Sequence, residues 1–127
     1  MNIPEQLRYT KSHEWVRVEG AEAVVGITDH AQRELTDIVF VELPPPGKLV
    51  EANKECAVVE SVKTASDIYA PVSGEVIAVN TELENAPQLV NQDPYGKGWL
   101  YRVRLTNPAE IESLLTAAQY AAHIGAK

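Results

Sequence analysis

The sequence contains little of what defines several large classes of protein. No apolar run approaches the roughly 20 residues that a membrane-spanning helix needs, and residues 1–9 lack the basic start and apolar stretch of a secretory signal. A single cysteine, Cys56, among 127 residues excludes an intramolecular disulfide and a cysteine-based metal site. We therefore expect a soluble cytoplasmic chain with no membrane partner.

Basic residues are also scarce. Lys and Arg number 11 against 18 Asp and Glu, which gives a formal net charge of −7 at pH 7. A nucleic-acid-binding protein normally gathers Lys and Arg on one face, because neutralising phosphates supplies much of its affinity. Here only Arg102 and Arg104 depart from single, scattered basic residues, so we expect no nucleic-acid partner. The acidity has two interpretations, which are solubility and electrostatic steering toward basic partners.

Familiar catalytic motifs are missing as well. The sequence has no G-x-S-x-G elbow, no glycine-rich phosphate loop and no H-E-x-x-H helix. Its three histidines, His13, His30 and His123, show no metal-ligand spacing, so the sequence predicts no metal site. Catalytic residues can still assemble across a fold, but these absences favour a protein that does not itself catalyse a reaction.

What the sequence does contain is a series of short β segments separated by turns. Alternation over 15–18, a turn at 19–20 and a return over 23–27 predict a hairpin. Further strands are predicted at 38–41, 48–50, 56–61, 66–70, 74–79 and 99–105. This spacing is typical of an all-β sandwich or barrel, and the length suits one domain, 1–127.

Two helices are predicted beside the strands. A capping box formed by Asp29 and Gln32 predicts a short helix that ends at residue 35 or 36. A C-terminal helix over about 108–122 is predicted from the N-cap and proline of Asn107-Pro108. Its apolar residues recur at helical spacing, at Ile111, Leu114, Leu115 and Ala118. We expect this helix to pack on the sheets.

Two of the predicted strands, 56–61 and 66–70, form a hairpin with Lys63 at its tip. Most lysines at turn tips are only solvated charges. A stiff, protruding tip is nevertheless what a modifying enzyme needs to reach an ε-amine, and what a swinging arm needs at its base. A catalytic acid would instead require a cleft and a perturbed pKa.

Five ordered blocks of sequence carry a family resemblance. The block around the lysine reads VVESVK at 58–63 and ASDIYAPVSGEV at 65–76. The other four are SHEW at 12–15, GITDHAQ at 26–32, DIVFVELP at 37–44 and LVNQDPYGKGWL at 89–100. Together they resemble the H protein of the glycine cleavage system, over about residues 9–115. The D-K-A and M-K-M sequences typical of other lipoyl and biotinyl domains are absent.

The resemblance implies a mainly β fold, a barrel-sandwich hybrid (lipoyl/biotinyl-like) of two antiparallel sheets with the modified lysine at a hairpin tip. It implies covalent lipoic acid on Lys63, whose dithiolane does the chemistry, and a chain that is a non-catalytic carrier. This carrier would shuttle the aminomethyl group of glycine from the P protein, a glycine decarboxylase, to the T protein, an aminomethyltransferase. Reducing equivalents would pass to the L protein, dihydrolipoamide dehydrogenase. A lipoylating enzyme is a further expected partner, and we expect a monomer.

The residues around the lysine are expected to serve recognition. Glu60, Ser61, Val62 and Asp67 are predicted to identify Lys63 to the lipoylating enzyme and to stiffen the turn. Chemistry by these side chains is not expected.

A second set of residues is predicted to shelter the arm. The aminomethylated arm is labile to water, so a cleft with an acid for its ammonium and apolar walls would protect it. Glu14 is the first candidate for that acid and Asp67 the second, while Ile27, Asp29 and Leu35 are candidates for the wall. The alternative that Glu14 is a solvated strand residue stays open.

Two other functions compete with the carrier. One keeps Lys63 but makes the chain a lipoyl donor or redox adaptor for other lipoate-dependent complexes. The other is a small enzyme that uses His30, Glu14 or Cys56.

The chain departs from the family at one position. Glycine usually precedes the Asp-Ile-Val-Phe segment in the family, and this chain has Thr36 there. A glycine at that place suggests a helix end in the left-handed conformation, which threonine adopts poorly. We therefore expect a local adjustment of the backbone.

Overall fold

Alternating apolar residues build two antiparallel sheets in the computed structural model, which describes residues 2–125. The described residues form nine strands: β1 (Arg8–Tyr9), β2 (Glu14–Glu19), β3 (Glu22–Ile27), β4 (Ile38–Glu42), β5 (Leu49–Val50), β6 (Glu55–Ser61), β7 (Ala65–Tyr69), β8 (Gly74–Val79) and β9 (Tyr101–Leu105). One sheet has the order β1-β2-β3-β9-β8-β5, and the other has the order β4-β6-β7. This arrangement confirms the predicted mainly β class with two antiparallel sheets.

Strand β3 shows how the core is arranged. Its side chains alternate between the two faces of the six-stranded sheet. Val25 and Ile27 point into the main core shared with the second sheet, and Val24 points the other way. Because Tyr120 and Ala117 of the C-terminal segment cover that other face, β3 is buried on both sides.

Short helices connect and cover the sheets. The described residues contain α1 (Asp29–Leu35), α2 (Leu89–Gln92) and α3 (Ala117–Ile124), with 3-10 helices at Thr81–Glu84 and Pro108–Ser113. Over this part of the chain, no helix combines the length and the apolar character needed to cross a membrane. The first 3-10 helix and α2 both lie in the segment that connects β8 to β9.

The C-terminal segment corrects the helix predicted over about 108–122. The Asn107 side chain makes no capping hydrogen bond, and the 3-10 helix that follows ends at the extended Leu114. Leu115 then pairs with Tyr9 through two backbone hydrogen bonds of 2.8 and 2.9 Å. Thr116 begins α3 in a capping box with Gln119. Backbone pairing and this N-cap therefore divide the apolar stripe that had suggested one helix.

Helix α1 begins one residue earlier than predicted. Thr28 is its N-cap and accepts a hydrogen bond from the Ala31 N–H at 3.2 Å. Asp29 instead lies in the first turn, where a carboxylate stabilises the helix dipole. The Gln32 side chain donates to the Asp29 carboxylate at 2.7 Å, whereas in a capping box it would accept from the backbone N–H of the N-cap.

Helix α1 ends at Thr36 with φ 66° and ψ −149°, a positive φ outside the left-handed helical region. The Asn91 side chain holds the segment that follows. It donates to the Thr36 carbonyl at 2.8 Å and accepts from the Ile38 N–H at 2.9 Å. Thr36 therefore has a backbone conformation that residues with a Cβ rarely adopt.

Candidate functional site

Lys63 lies at the tip of the hairpin formed by β6 and β7, and its side chain is exposed. The two strands pair from Glu55 with Tyr69 up to Glu60 with Ala65, with one irregularity near Ala57. In the three-stranded sheet, β6 is the central strand and β7 is an edge strand. Strand β4 pairs with the other side of β6. Lys63 therefore projects from a paired base.

The Ser61 hydroxyl shapes the turn at the tip. It accepts hydrogen bonds from the N–H groups of Lys63 at 3.2 Å and Thr64 at 3.1 Å, and it donates to the Thr64 carbonyl at 3.1 Å. The Ser61 N–H also donates to the Thr64 carbonyl at 2.8 Å. Ser61 is buried, so its geometry supports the expected stiffening of the turn.

The tip rests on the end of helix α1. The Val62 N–H donates to the Asp37 carbonyl at 3.0 Å, and the Lys63 ammonium donates to the Glu34 carbonyl at 2.8 Å. The last carbonyls of a helix lack intrahelical partners and carry partial negative charge, so they favour a cation. Two contacts thus attach the lysine-bearing turn to α1 and to the segment after it.

The other residues predicted to identify the lysine lie around this turn. Val62 is 68% exposed, Asp67 is exposed on β7 and Glu60 is half-buried on β6. An exposed apolar side chain and two carboxylates therefore lie near the lysine, where a modifying enzyme could contact them.

Glu14 is not a solvated strand residue, because it is 1% exposed. Its carboxylate accepts from the hydroxyls of Thr10 at 2.6 Å and Ser12 at 2.5 Å, and from the Tyr69 N–H at 3.3 Å. Burial raises the pKa of Glu14, although these hydrogen bonds act in the opposite direction. The carboxylate therefore joins β2 to the base of the lysine hairpin.

The residues predicted for the cleft wall lie in different surroundings. Ile27 is paired in register with Glu14 and belongs to the main core. Leu35 packs against that core from the end of α1. The Asp29 carboxylate accepts from the Asn2 N–H and from the side chains of Gln32 and Arg33, at 2.7 to 3.2 Å. The desolvation of Asp29 is outweighed by these donors, which lower its pKa.

The structure also assembles residues that the sequence spacing kept apart. The His13 and His30 rings lie 4.7 Å apart between centroids, and His30 Nε2 contacts the Glu34 carboxylate at 3.1 Å. The His123 ring is 6.0 Å from that of His13. We call these four residues, Glu34 included, the histidine cluster. In the sequence, only the spacing of four between His30 and Glu34 on a predicted helix indicates it.

A hydrogen-bonded chain holds His13 in the histidine cluster. His13 Nδ1 lies 2.9 Å from the Tyr120 hydroxyl, which lies 2.7 Å from the Thr28 hydroxyl. Burial lowers the pKa of His13, and the neighbouring His30 lowers it further. His13 itself has a positive φ of 75°.

The third residue named for a small enzyme, Cys56, is buried in β6. Its Sγ lies 3.2 Å from the Tyr101 hydroxyl, and burial raises the pKa of the thiol. A reactive cysteine needs a lowered pKa and access to solvent, so Cys56 lacks the features of a nucleophile.

Comparison with known proteins agrees with the resemblance. The sequence profile of the family described as Glycine cleavage H-protein matches residues 7–127. A glycine cleavage system H protein from Acinetobacter baumannii is 57% identical over 122 residues, which are 96% of this chain and 98% of that protein. Another from Aeromonas hydrophila is 61% identical over 120 residues, 94% of this chain and 93% of that one.

A solved structure extends the agreement to the fold. The crystal structure of a glycine cleavage system H protein from Mycobacterium marinum superposes with a TM-score of 0.89 at 44% sequence identity. The superposition covers 97% of this chain and 99% of the other. With its hairpin-tip lysine, its two sheets and these relatives, the chain belongs to the glycine cleavage H-protein family.

Proposed function

We propose that Lys63 carries lipoic acid in amide linkage and that the chain passes the aminomethyl group of glycine from the P protein to the T protein. It then passes reducing equivalents to dihydrolipoamide dehydrogenase. The lipoyl group supplies the sulfur chemistry when attached, and the chain acts as a non-catalytic carrier. A lipoylating enzyme attaches the group, and the cytoplasmic location stays a prediction.

The observation that carries this proposal is the exposed Lys63 ammonium on an anchored turn. An amide formed at Nζ keeps one N–H, which can still donate to the Glu34 carbonyl. The Ser61 hydroxyl and the Asp37 carbonyl hold the backbone on either side. The site therefore fits a covalent arm without any change in the sheets.

Intact-protein mass after incubation with a lipoylating enzyme tests the attachment. One lipoyl increment is expected on the wild-type chain and none on Lys63→Arg. Lys54→Arg is the matched control, because Lys54 is an exposed lysine near the other end of β6 and should leave the modification intact. A lipoyl increment on Lys63→Arg would overturn the assignment.

Glycine–bicarbonate exchange with the P protein tests the transfer. The lipoylated wild-type chain and Lys54→Arg are expected to support exchange, and Lys63→Arg is not. A lipoyl donor or redox adaptor would carry the modification without supporting exchange. Modified protein that fails in this assay would therefore favour that second function.

Glu14 is proposed as the acid that shelters the cargo. Two of its partners, Thr10 and Ser12, also line a groove of about 520 Å³. Tyr69, which donates to Glu14, lies four residues along β7 from Ala65, or roughly 13 Å from the end of the strand nearest the tip. Because Glu14 is buried, the cargo ammonium reaches it only when these two hydroxyls turn aside. Glu14→Ala should shorten the lifetime of the aminomethyl adduct, and an unchanged lifetime contradicts this role.

A further inference from the structure

Three side chains of the histidine cluster offer a set of donors that suits a transition metal. His13, His30 and Glu34 each place one donor atom within 4.8 Å of the others. Two imidazoles and one carboxylate are the donor set of many zinc sites that keep a fourth position open. These three donors come from the loop before β2 and from one face of α1, so the fold and not the sequence spacing assembles them.

The spacing within α1 is already close to that of a coordinated pair. His30 Nε2 and Glu34 Oε1 lie 3.1 Å apart. Two ligands on a tetrahedral zinc ion, with bonds of about 2.1 Å, lie about 3.4 Å apart. Positions four apart on a helix present their side chains side by side, so an ion can bridge this pair with little change of rotamer.

His13 has the outer partner that a metal-binding histidine usually has. Its Nδ1 contacts the Tyr120 hydroxyl, which in turn contacts the buried Thr28 hydroxyl. Hydroxyl groups can rotate so that Nδ1–H donates to Tyr120 and Tyr120 donates to Thr28. This polarity leaves the lone pair on Nε2, and such outer partners orient metal-binding histidines.

The site is open on one side. The Glu34 side chain is 63% exposed and that of His30 is 21% exposed, so an ion can enter from solvent and keep a water molecule or another ligand. From these observations we propose that His13, His30 and Glu34 bind one Zn²⁺ ion per chain. Because the Lys63 ammonium donates to the Glu34 carbonyl, the ion would bind to a residue that contacts the end of the lysine side chain.

Calorimetric titration of the tag-free, unmodified chain with Zn²⁺ tests the proposal, with Co²⁺ absorption as a report on coordination. One ion per chain is expected, with the visible bands of a four- or five-coordinate Co²⁺ ion. Glu34→Gln and His30→Asn should each weaken binding by about tenfold or more, and Tyr120→Phe should weaken it by about 10–100-fold through the orientation of His13. Using unmodified protein separates this result from lipoylation of Lys63.

His123→Asn is the matched control, because it removes a neighbouring imidazole that lies outside the proposed donor set. It should bind Zn²⁺ as the wild type does. The exposed Glu34 side chain makes Glu34→Gln a safe variant for folding, so the test does not depend on His30→Asn. Absence of one-to-one binding in the wild type, equal affinity in Glu34→Gln, or a loss in His123→Asn as large as in His30→Asn would each overturn the proposal.

Discussion

Thr36 is the position where a single substitution should stabilise the protein. It ends α1 with φ 66° and ψ −149°, a conformation that the Cβ of a β-branched residue makes unfavourable and that glycine adopts without strain. The surrounding bonds keep it there. Asn91 binds the Thr36 carbonyl, and the Thr36 N–H donates to the Gln32 carbonyl at 3.0 Å. Thr36→Gly keeps both bonds and removes the strained side chain.

The magnitude follows from two opposing effects. Backbone strain of this kind costs about 1–3 kcal/mol, and glycine relieves it. Glycine also makes the unfolded chain more flexible, which lowers the free energy of unfolding by about 0.4–1 kcal/mol. The net expectation for Thr36→Gly is a gain of about 1 kcal/mol, or a rise in Tm of about 4 °C for a chain of this length.

Urea denaturation and thermal unfolding of the unmodified chain measure this difference. Thr106→Gly is the matched control, because Thr106 is exposed and has an ordinary negative φ. Only the entropic effect acts there, so this variant should lose about 0.4–1 kcal/mol. If Thr36→Gly loses stability by as much as Thr106→Gly, then Thr36 is not strained and the reasoning is wrong.

Three further predictions concern buried contacts. Because burial raises the pKa of Glu14 above 4.5, the native state binds this proton more tightly than the unfolded chain. The free energy of unfolding should therefore fall as the pH rises from 4.5 through the raised pKa, and Glu14→Gln should remove that slope in urea titrations at several pH values. Tyr120→Phe removes the hydroxyl that links His13 to buried Thr28, and chemical denaturation should show that the free energy of unfolding falls by about 1–2 kcal/mol. No loss would mean that these hydrogen bonds do not stabilise the protein. Gly98→Ala places a Cβ 2.6 Å from the Leu89 carbonyl oxygen, and thermal unfolding should show a loss of about 1–3 kcal/mol, whereas an unchanged Tm would mean that this backbone yields easily.

Patterns of neighbouring residues correctly predicted those elements of the fold that depend on residues close together in the sequence. The strand predicted at 74–79 was found at Gly74–Val79, and the lysine hairpin was found with ends shifted by one residue. Alternation and turn residues determine such elements within a few positions. The C-terminal helix was wrong because Leu115 pairs with Tyr9, more than 100 residues away, and no local pattern reports that contact.

For the candidate site, too, the sequence predicted one part, and tertiary packing determines the other. Lys63 could be found from the hairpin around it and from the family resemblance, but its contact with the Glu34 carbonyl depends on how the tip packs against α1. The histidine cluster depends on the register of β2 with β3. Pairing of Glu14 with Ile27 brings His13 beside the start of α1, where its carbonyl accepts from the Thr28 N–H at 3.0 Å.

The Ser61 turn has a consequence for how a tethered group finds its target. Since Ser61 and the Asp37 carbonyl fix the backbone at Lys63, only the side chain and a group attached to it, as proposed above, would rotate. The volume that this group explores is then set by the length of the arm around a fixed pivot. Its effective concentration at a docked partner's active site depends on the orientation of docking and on the distance spanned. A looser turn would enlarge the volume and dilute the group at every partner alike.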